Sequence, residues 1–173
     1  RVSGGKRFRP GFCWWGFAAA SGQPAHSIPV LAAAASFDLL HASALAHDDV
    51  MDASDTRRGK PAAHVAFAAN HRRQGWRGDS DSYGRAGAIL LGDLLLVWSV
   101  ARVETSSLDR LAAARPLLDA VRTEVTCGQF LDIRAQSERA DPERAVDLSR
   151  RVTEYKSARY TVTRPLQAGA VLG

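Results

Sequence analysis

The chain has 173 residues, 46% hydrophobic and 24% charged, a balance that excludes a disordered tail, a collagen-like repeat and a disulfide miniprotein. Lysine and arginine total 23 against 18 acids, for a net charge of +5 and a pI near 9.8, so an anionic partner is expected, its kind left open by charge alone. The two cysteines, Cys13 and Cys127, form no Cys-x-x-Cys pair, which argues against a disulfide framework or a zinc site and for a reducing cytoplasm.

The longest strongly apolar stretches, residues 11–20 and 29–40, are too short or too interrupted for the ~30 Å hydrocarbon core of a bilayer, so no membrane span is predicted. The sequence opens on Arg1 and Val2 with no basic-then-apolar leader, and residues 168–173 run apolar without a cap. The expectation is a chain incomplete at both ends.

Alanine-rich apolar periodicity without alternating β-branched runs predicts an all-α fold. A first helix is expected over about 10–20, with Pro10 in its first turn and a break at Ser21-Gly22-Gln23-Pro24. A second starts near Ser27 or Pro29 and continues to Met51 or Ala53; Arg57-Arg58-Gly59-Lys60-Pro61 then stops regular structure, and a short helix follows over about 62–70. Residues 71–83, rich in Arg, Gly, Asp and Ser, read as the longest loop. Helical pattern resumes over about 84–103 and again from Leu108 to Gln136, with a kink or break at Arg115-Pro116. Asp141-Pro142-Glu143 reads as a cap, a first-turn proline and a first-turn acid opening a last helix to Glu154 or beyond. No internal repeat stands out.

The strongest chemical signal is His47-Asp48-Asp49-Val50-Met51-Asp52, followed by Asp55 and Arg57-Arg58. Residues four apart on a helix lie about 40° from alignment, so Asp48 and Asp52 project together, and His41 and Asp55, each seven residues from Asp48, fall about 20° from its direction. Carboxylates gathered this way resist joint ionisation without a counter-charge. Hard oxygen donors from a single helix suit Mg²⁺, which keeps several waters and bridges one or two carboxylates to a phosphate. The plain alternative is a solvated acidic face, made less attractive by the apolar lead-in of Phe37, Leu39, Leu40 and Leu45.

A second signal is Gly4-Gly5-Lys6-Arg7-Phe8-Arg9-Pro10, where glycines allow close backbone approach and Lys6 and Arg9 offer a point charge and a planar fork before a helix start. Alone, such a basic arm is more often a solvated segment or a nucleic-acid contact than a small-molecule site. Arg57-Arg58 and Lys156-Ser157-Ala158-Arg159-Tyr160-Thr161 supply two further basic clusters, and three such clusters with one carboxylate claw make sense around a magnesium diphosphate.

With Leu40-His41, Gly92-Asp93, Gly128-Gln129 and Lys156-Ser157 falling in the same order, the chain resembles the trans-isoprenyl (polyprenyl) diphosphate synthases, most of all the bacterial geranylgeranyl diphosphate synthases. The resemblance spans nearly all 173 residues. It implies an antiparallel helical bundle around a deep central cavity, one domain that the sequence gives in part, in a homodimeric, cytoplasmic enzyme. It also implies head-to-tail transfer: an allylic diphosphate ionises with Mg²⁺, the alkene of isopentenyl diphosphate attacks, and a proton is lost.

By motif match, Asp48 and Asp52 would bind Mg²⁺, with Asp49 orienting or sharing that role; Arg57, Lys156 and Ser157 would bind the allylic diphosphate; Lys6, Arg9, His41 and Arg58 would bind isopentenyl diphosphate. Gln129 and Asp132 are weighed equally as orienting groups and as helix–helix hydrogen bonders, and His47 is assigned to packing or support beside the acids. His26, His64 and His71 receive no role. In the family, bulk upstream of the acidic motif closes the pocket floor. Ser43 and Ala44 stand there, so a product of geranylgeranyl length or longer is expected, with Trp14, Trp15 and Phe17 read as core.

The family's second aspartate-rich motif does not occur by Gly173, so the segment alone is expected to be inactive. The alternatives are a non-catalytic regulatory homologue and a class I terpene cyclase. The first fits poorly with retention of every first-half motif, and the second leaves the Gly4–Pro10 segment and His41 without a diphosphate. A nucleic-acid partner is not expected, because the basic residues are interleaved with the acidic claw and no recognition-helix pattern occurs.

Overall fold

The computed structural model of the chain describes residues 5–23, 27–139 and 141–173. Helices make up 81% of it, which bears out the all-α class. Helix α1, Phe8–Ser21, opens two residues earlier than expected and holds Pro10 in its first turn, where the missing N–H has no intrahelical carbonyl to meet. It ends at Gly22, whose φ of 77° suits glycine; Pro24 of the expected break, and His26, lie outside the described residues. Helix α2 runs unbroken over Ser27–Met51.

The segment after α2, read from sequence as a stop, forms a small hairpin. Strands β1, Thr56–Arg57, and β2, Lys60–Pro61, pair antiparallel with Arg57 opposite Lys60. Arg58 and Gly59 turn the chain with φ of 53° and 71°, both left-handed, as in the primed two-residue turns that match strand twist.

Helix α3, Ala63–Gln74, and helix α4, Ser80–Glu104, shrink the expected loop to residues 75–79. Two features tighten it. Asp79 Oδ1 accepts from Ser82 N at 2.7 Å and so caps α4, while buried His71 lies 2.9 Å from Ser80 Oγ and 3.1 Å from the Arg77 carbonyl. The rings of Trp76 and Tyr83 pack against the His71 imidazole at 5.9 and 4.8 Å.

Helix α5, Leu111–Ser137, continues through Pro116, so of the kink or break expected there the break does not occur. Pro116 stands near the helix start, and the Ala112 carbonyl it cannot serve belongs to an exposed residue that water can reach. Asp141 accepts from Arg144 N at 3.0 Å, the cap expected there, and opens helix α6, Pro142–Val152. The chain then continues without interruption through a π-helical segment, Thr153–Thr163, into helix α7, Arg164–Leu172.

Residues 28–51 of α2, and α4, are long and apolar enough by length and composition to cross a membrane. This departs from the expectation drawn from separate apolar stretches, because hydropathy averaged along an alanine- and leucine-rich helix tolerates scattered polar residues. Both helices carry buried polar groups, Ser36, Ser43 and Asp49 in α2 and Ser99 in α4, of which Ser36 and Ser99 donate to carbonyls of their own helix.

The described residues divide into two compact units. The first holds Gly5, Lys6 and Asp38–Ala101, with Leu40, Ala46, Ala62, Ala68, Ala88 and Leu95 buried. The second holds Arg7–Phe37 and Arg102–Gly173. There α1 meets α7 at backbone distance: a Cβ on Gly16 would lie 2.1 Å from the Leu166 carbonyl oxygen, and one on Gly169 2.0 Å from that of Cys13.

Candidate active site

In the first unit, the C-terminal half of α2 presents His41, Ala44 and Asp48 along one side, half-buried, with Ser43 buried beside them. Asp52 follows the last helical residue but keeps helical geometry, its N–H bonding to the Asp48 carbonyl at 2.8 Å. Asp48 and Asp52 therefore share a face, Asp48 with 16% of its side chain accessible and Asp52 exposed.

Asp49 behaves differently. One step around the helix takes it about 100° away, and the residue is only 4% exposed. The chain reversal at the end of α2, with Ala53 at a left-handed φ of 50°, brings Arg57 back onto it: Nε donates to Asp49 Oδ1 at 2.8 Å, Nη2 bonds the same oxygen, and Nη2 reaches Asp48 Oδ2 at 3.4 Å. The hydrogen bond to Asp49 is the main influence raising the Arg57 pKa above its ordinary value; burial opposes it, and the charges of Asp49 and Asp48 reinforce it. Arg57 supplies the counter-charge that buried Asp49 requires.

Arg58, exposed at the hairpin turn, lays its guanidinium against Gly5, 3.4 Å from where a Cβ would stand, beside exposed Lys6. Gly4 lies outside the described residues. His47 Nε2 lies 3.0 Å from the Ile89 carbonyl and 3.3 Å from Asp93, tying α2 to the Gly92-Asp93 motif of α4. Asp55 is exposed beyond the helix end.

The second unit carries the remaining candidates. Lys156 Nζ pairs with Asp132 Oδ2 at 2.5 Å, from the π segment to α5, and Gln129 lies one turn before Asp132 on α5. Ser157 is exposed beside Lys156. Arg9 stacks on the Tyr160 ring, Cζ 4.1 Å from its centroid, and donates to Thr161 Oγ1 at 2.8 Å. Arg159, counted from sequence among the basic cluster, joins Arg164 on Glu124, at 3.1 Å from Arg159 Nη1 and 2.8 Å from Arg164 Nε. Asp132, weighed in the sequence for two roles, makes the interhelical bond. Glu124 carries no local signal, and the cluster that holds Tyr160 and Thr161 gives no sign of their contacts with Arg9, because these partners lie 35 to 152 residues away.

Among the described residues, no group of three or more His, Cys, Asp or Glu side chains is placed to hold a metal ion. The donor set on the Asp48 and Asp52 face nevertheless fits Mg²⁺ in its chemistry: two hard carboxylates one turn apart, Asp48 half-buried and Asp52 exposed, would hold the ion.

The polyprenyl synthetase family profile matches residues 1–173. The chain belongs to the polyprenyl synthetase family. It is 35% identical over 134 residues to the geranylgeranyl diphosphate synthase of Methanosarcina mazei, covering 76% of this chain and 35% of that protein. It is 34% identical over 164 residues to the geranylgeranyl diphosphate synthase of Mycobacterium tuberculosis, covering 92% and 39%. Its structure matches that of geranylgeranyl pyrophosphate synthase from Corynebacterium glutamicum, complexed with isoprenyl diphosphate and magnesium, with TM-score 0.92 and 42% identity over 98% of this chain and 48% of that one. The family's helical-bundle fold is thus this chain's fold. The chain spans less than half the length of each of these three relatives.

Proposed function

We propose that the whole protein is a prenyltransferase that condenses an allylic diphosphate with isopentenyl diphosphate head-to-tail, giving geranylgeranyl diphosphate or a longer product. Residues 1–173 are then part of one α-helical polyprenyl synthetase domain. The observation that carries the reading is the splitting of the acidic motif: Asp49 turns inward to Arg57, while Asp48 and Asp52 face outward together.

In this mechanism Asp48 and Asp52 hold Mg²⁺, which when bound supplies positive charge against the leaving diphosphate. Arg57, fixed by Asp49, and Lys156, fixed by Asp132, orient the allylic diphosphate, with Ser157 and Gln129 completing its polar contacts. Arg58, Lys6, Arg9 and His41 bind isopentenyl diphosphate. Apolar side chains exclude water from the allylic cation, and the released diphosphate takes the proton. Buried Ser43 and small Ala44 leave room for a growing tail.

Homodimerisation belongs to the same reading and is supported by an exposed apolar stripe on α4: Leu90 (67%), Leu94 (42%), Val97 (61%) and Trp98 (49%) fall on one helical face. A cytoplasmic location completes it.

The test is incubation of the whole protein with labelled isopentenyl diphosphate, Mg²⁺ and allylic diphosphates of graded length, with products resolved by chromatography. Elongation with farnesyl diphosphate, reduced about 10²- to 10³-fold in Asp48→Asn and Asp52→Asn, is expected. Absence of any elongated product with every starter would overturn the proposal.

A further inference from the structure

Asp48 stands between two anchored neighbours. Each step along an α-helix turns the side chain by about 100°, so His47 and Asp49 leave the α2 axis on opposite flanks of Asp48. Asp49 is held on its flank by Arg57. On the other, His47 Nε2 donates to the Ile89 carbonyl oxygen at 3.0 Å and lies 3.3 Å from Asp93 Oδ1. A helical carbonyl that accepts from the N–H four residues on keeps a second lone pair, so Ile89 takes the imidazole without giving up its place in α4.

Gly92 completes the cradle. Ile89, Gly92 and Asp93 share one face of α4, and a Cβ at Gly92 would stand 2.2 Å from His47 Nε2 and 2.4 Å from its Cδ2, so the ring sits there because residue 92 has no side chain. Behind Asp48 the same stretch of α2 is backed by Ser43 and Ala46, both buried and both small. Small side chains make low ridges that resist the rolling of a helix weakly, which leaves its angle to the polar anchors on the flanks. That angle matters at the carboxylates. With side chains reaching about 5–6 Å from the axis, a roll of about 10° moves them by about 1 Å, and Mg²⁺ tolerates little departure from its preferred geometry.

We propose that His47, seated by Ile89 and Gly92, is a positioning residue for Asp48 and Asp52: it fixes the roll of α2, and so the divalent-cation affinity of the pair, without touching the ion. This role rests on the prenyl-transfer reading, which gives Mg²⁺ to those two carboxylates. Gly92 thereby acts on the cation from a different helix, through the imidazole it makes room for.

The experiment is Mn²⁺ binding to the whole protein, with Mn²⁺ standing in for Mg²⁺, the free ion counted by its electron paramagnetic resonance signal, and the site lost in Asp48→Asn taken as the one to follow. His47→Ala, which removes the donor, is expected to raise the Mn²⁺ Kd of that site about three- to tenfold. His47→Gln, whose Nε2 donor lies as many bonds from the backbone as the imidazole Nε2, should stay within about twofold of the parent. Gly92→Ala displaces the ring and should match His47→Ala, and the two together should be no weaker than either alone.

A Kd unmoved by His47→Ala and Gly92→Ala, while Asp48→Asn abolishes the site, overturns the positioning role and leaves the prenyl-transfer reading intact. So does a His47→Gln variant as weak as His47→Ala, or full additivity of His47→Ala with Gly92→Ala. Mn²⁺ binding unmoved by Asp48→Asn removes the cation from that pair and the role of His47 with it. Should Gly92→Ala fail to fold by circular dichroism, the His47→Ala and His47→Gln pair decides.

Discussion

Glycine-to-alanine replacement at two helical positions should have opposite signs, and the reason is geometric. On α5, a Cβ at Gly128 would stand 2.4 Å from Lys156 N, 2.8 Å from Lys156 Cα and 2.8 Å from Tyr155 C. All three are backbone atoms, so no side chain can swing aside; α5 and the π segment must separate by about 1 Å to reach ordinary contact at 3.5–4.0 Å. Overpacking costs about 1–3 kcal/mol, and separating two backbones belongs at the upper end. Alanine's better helix propensity returns about 1 kcal/mol, leaving Gly128→Ala about 1–2 kcal/mol less stable. On α1, a Cβ at Gly11 meets nothing within 4 Å, so Gly11→Ala keeps the propensity gain alone and should be up to about 1 kcal/mol more stable. Urea unfolding of the whole protein, followed by circular dichroism, measures both against the parent through the shift in midpoint at unchanged slope. The separation also moves Lys156 relative to Asp132, so Gly128→Ala should lose prenyl transfer while Gly11→Ala keeps it. A Gly128→Ala midpoint equal to or above the parent's would refute the close approach.

Asp49→Asn keeps the shape at the buried position but removes the charge that Arg57 meets, and should lower stability by about 1–3 kcal/mol, whereas exposed Asp52→Asn should lose activity with its urea midpoint within about 0.5 kcal/mol of the parent. Equal midpoints for the two variants would contradict the division between them. Glu124 titrates below its ordinary 4.5 chiefly because Arg164 hydrogen-bonds it, with burial opposing and Arg159 assisting. Its lowered folded pKa contributes stability that is present above pH 4.5 and lost as pH falls through the folded value, so the deficit of Glu124→Gln against the parent should close below pH 4.5; a deficit constant from pH 7 to 3 would count against the network. Ala44→Phe puts bulk one turn before Asp48 and should shift the longest product to fewer carbons, and an unchanged product distribution would remove Ala44 from the pocket floor. Burial pushes the Cys13 thiol up to about 12, so peptide mapping after native alkylation should find Cys127 labelled and Cys13 protected.

Where sequence reading succeeded, the signal was local. Asp141 before Pro142 is a cap that any chain would use, and α6 begins there. The same reasoning applied to Asp79 would have started α4 four residues earlier than the apolar pattern did; the surrounding Arg, Gly and Ser masked it as loop. Burial of His71 was hidden for a different reason: its partners, Ser80 and Arg77, are polar residues whose convergence depends on the turn at Gly75. Periodicity carries no mark of the π segment either, since a change from i→i+4 to i→i+5 bonding leaves composition untouched. The pairing of Arg9 with Thr161, 152 residues apart, belongs wholly to tertiary structure.

The acidic motif shows how these two kinds of information combine. Asp48, Asp49 and Asp52 are alike in composition, and helical spacing alone separates Asp49 from the other two by direction. Spacing does not say that the inward carboxylate is affordable. That depends on Arg57, which sits eight residues beyond Asp49 and returns to it after the chain reverses at the end of α2, where Ala53 takes a left-handed φ of 50° and Ser54 N bonds the Asp49 carbonyl at 2.9 Å. The arginine that follows the acidic helix therefore does two things at once. It offsets one buried negative charge, and through its 3.4 Å contact with Asp48 it lowers the repulsion at the edge of the outward pair. Two carboxylates so placed, one turn apart on one face, are the kind of hard oxygen pair that accepts a divalent cation.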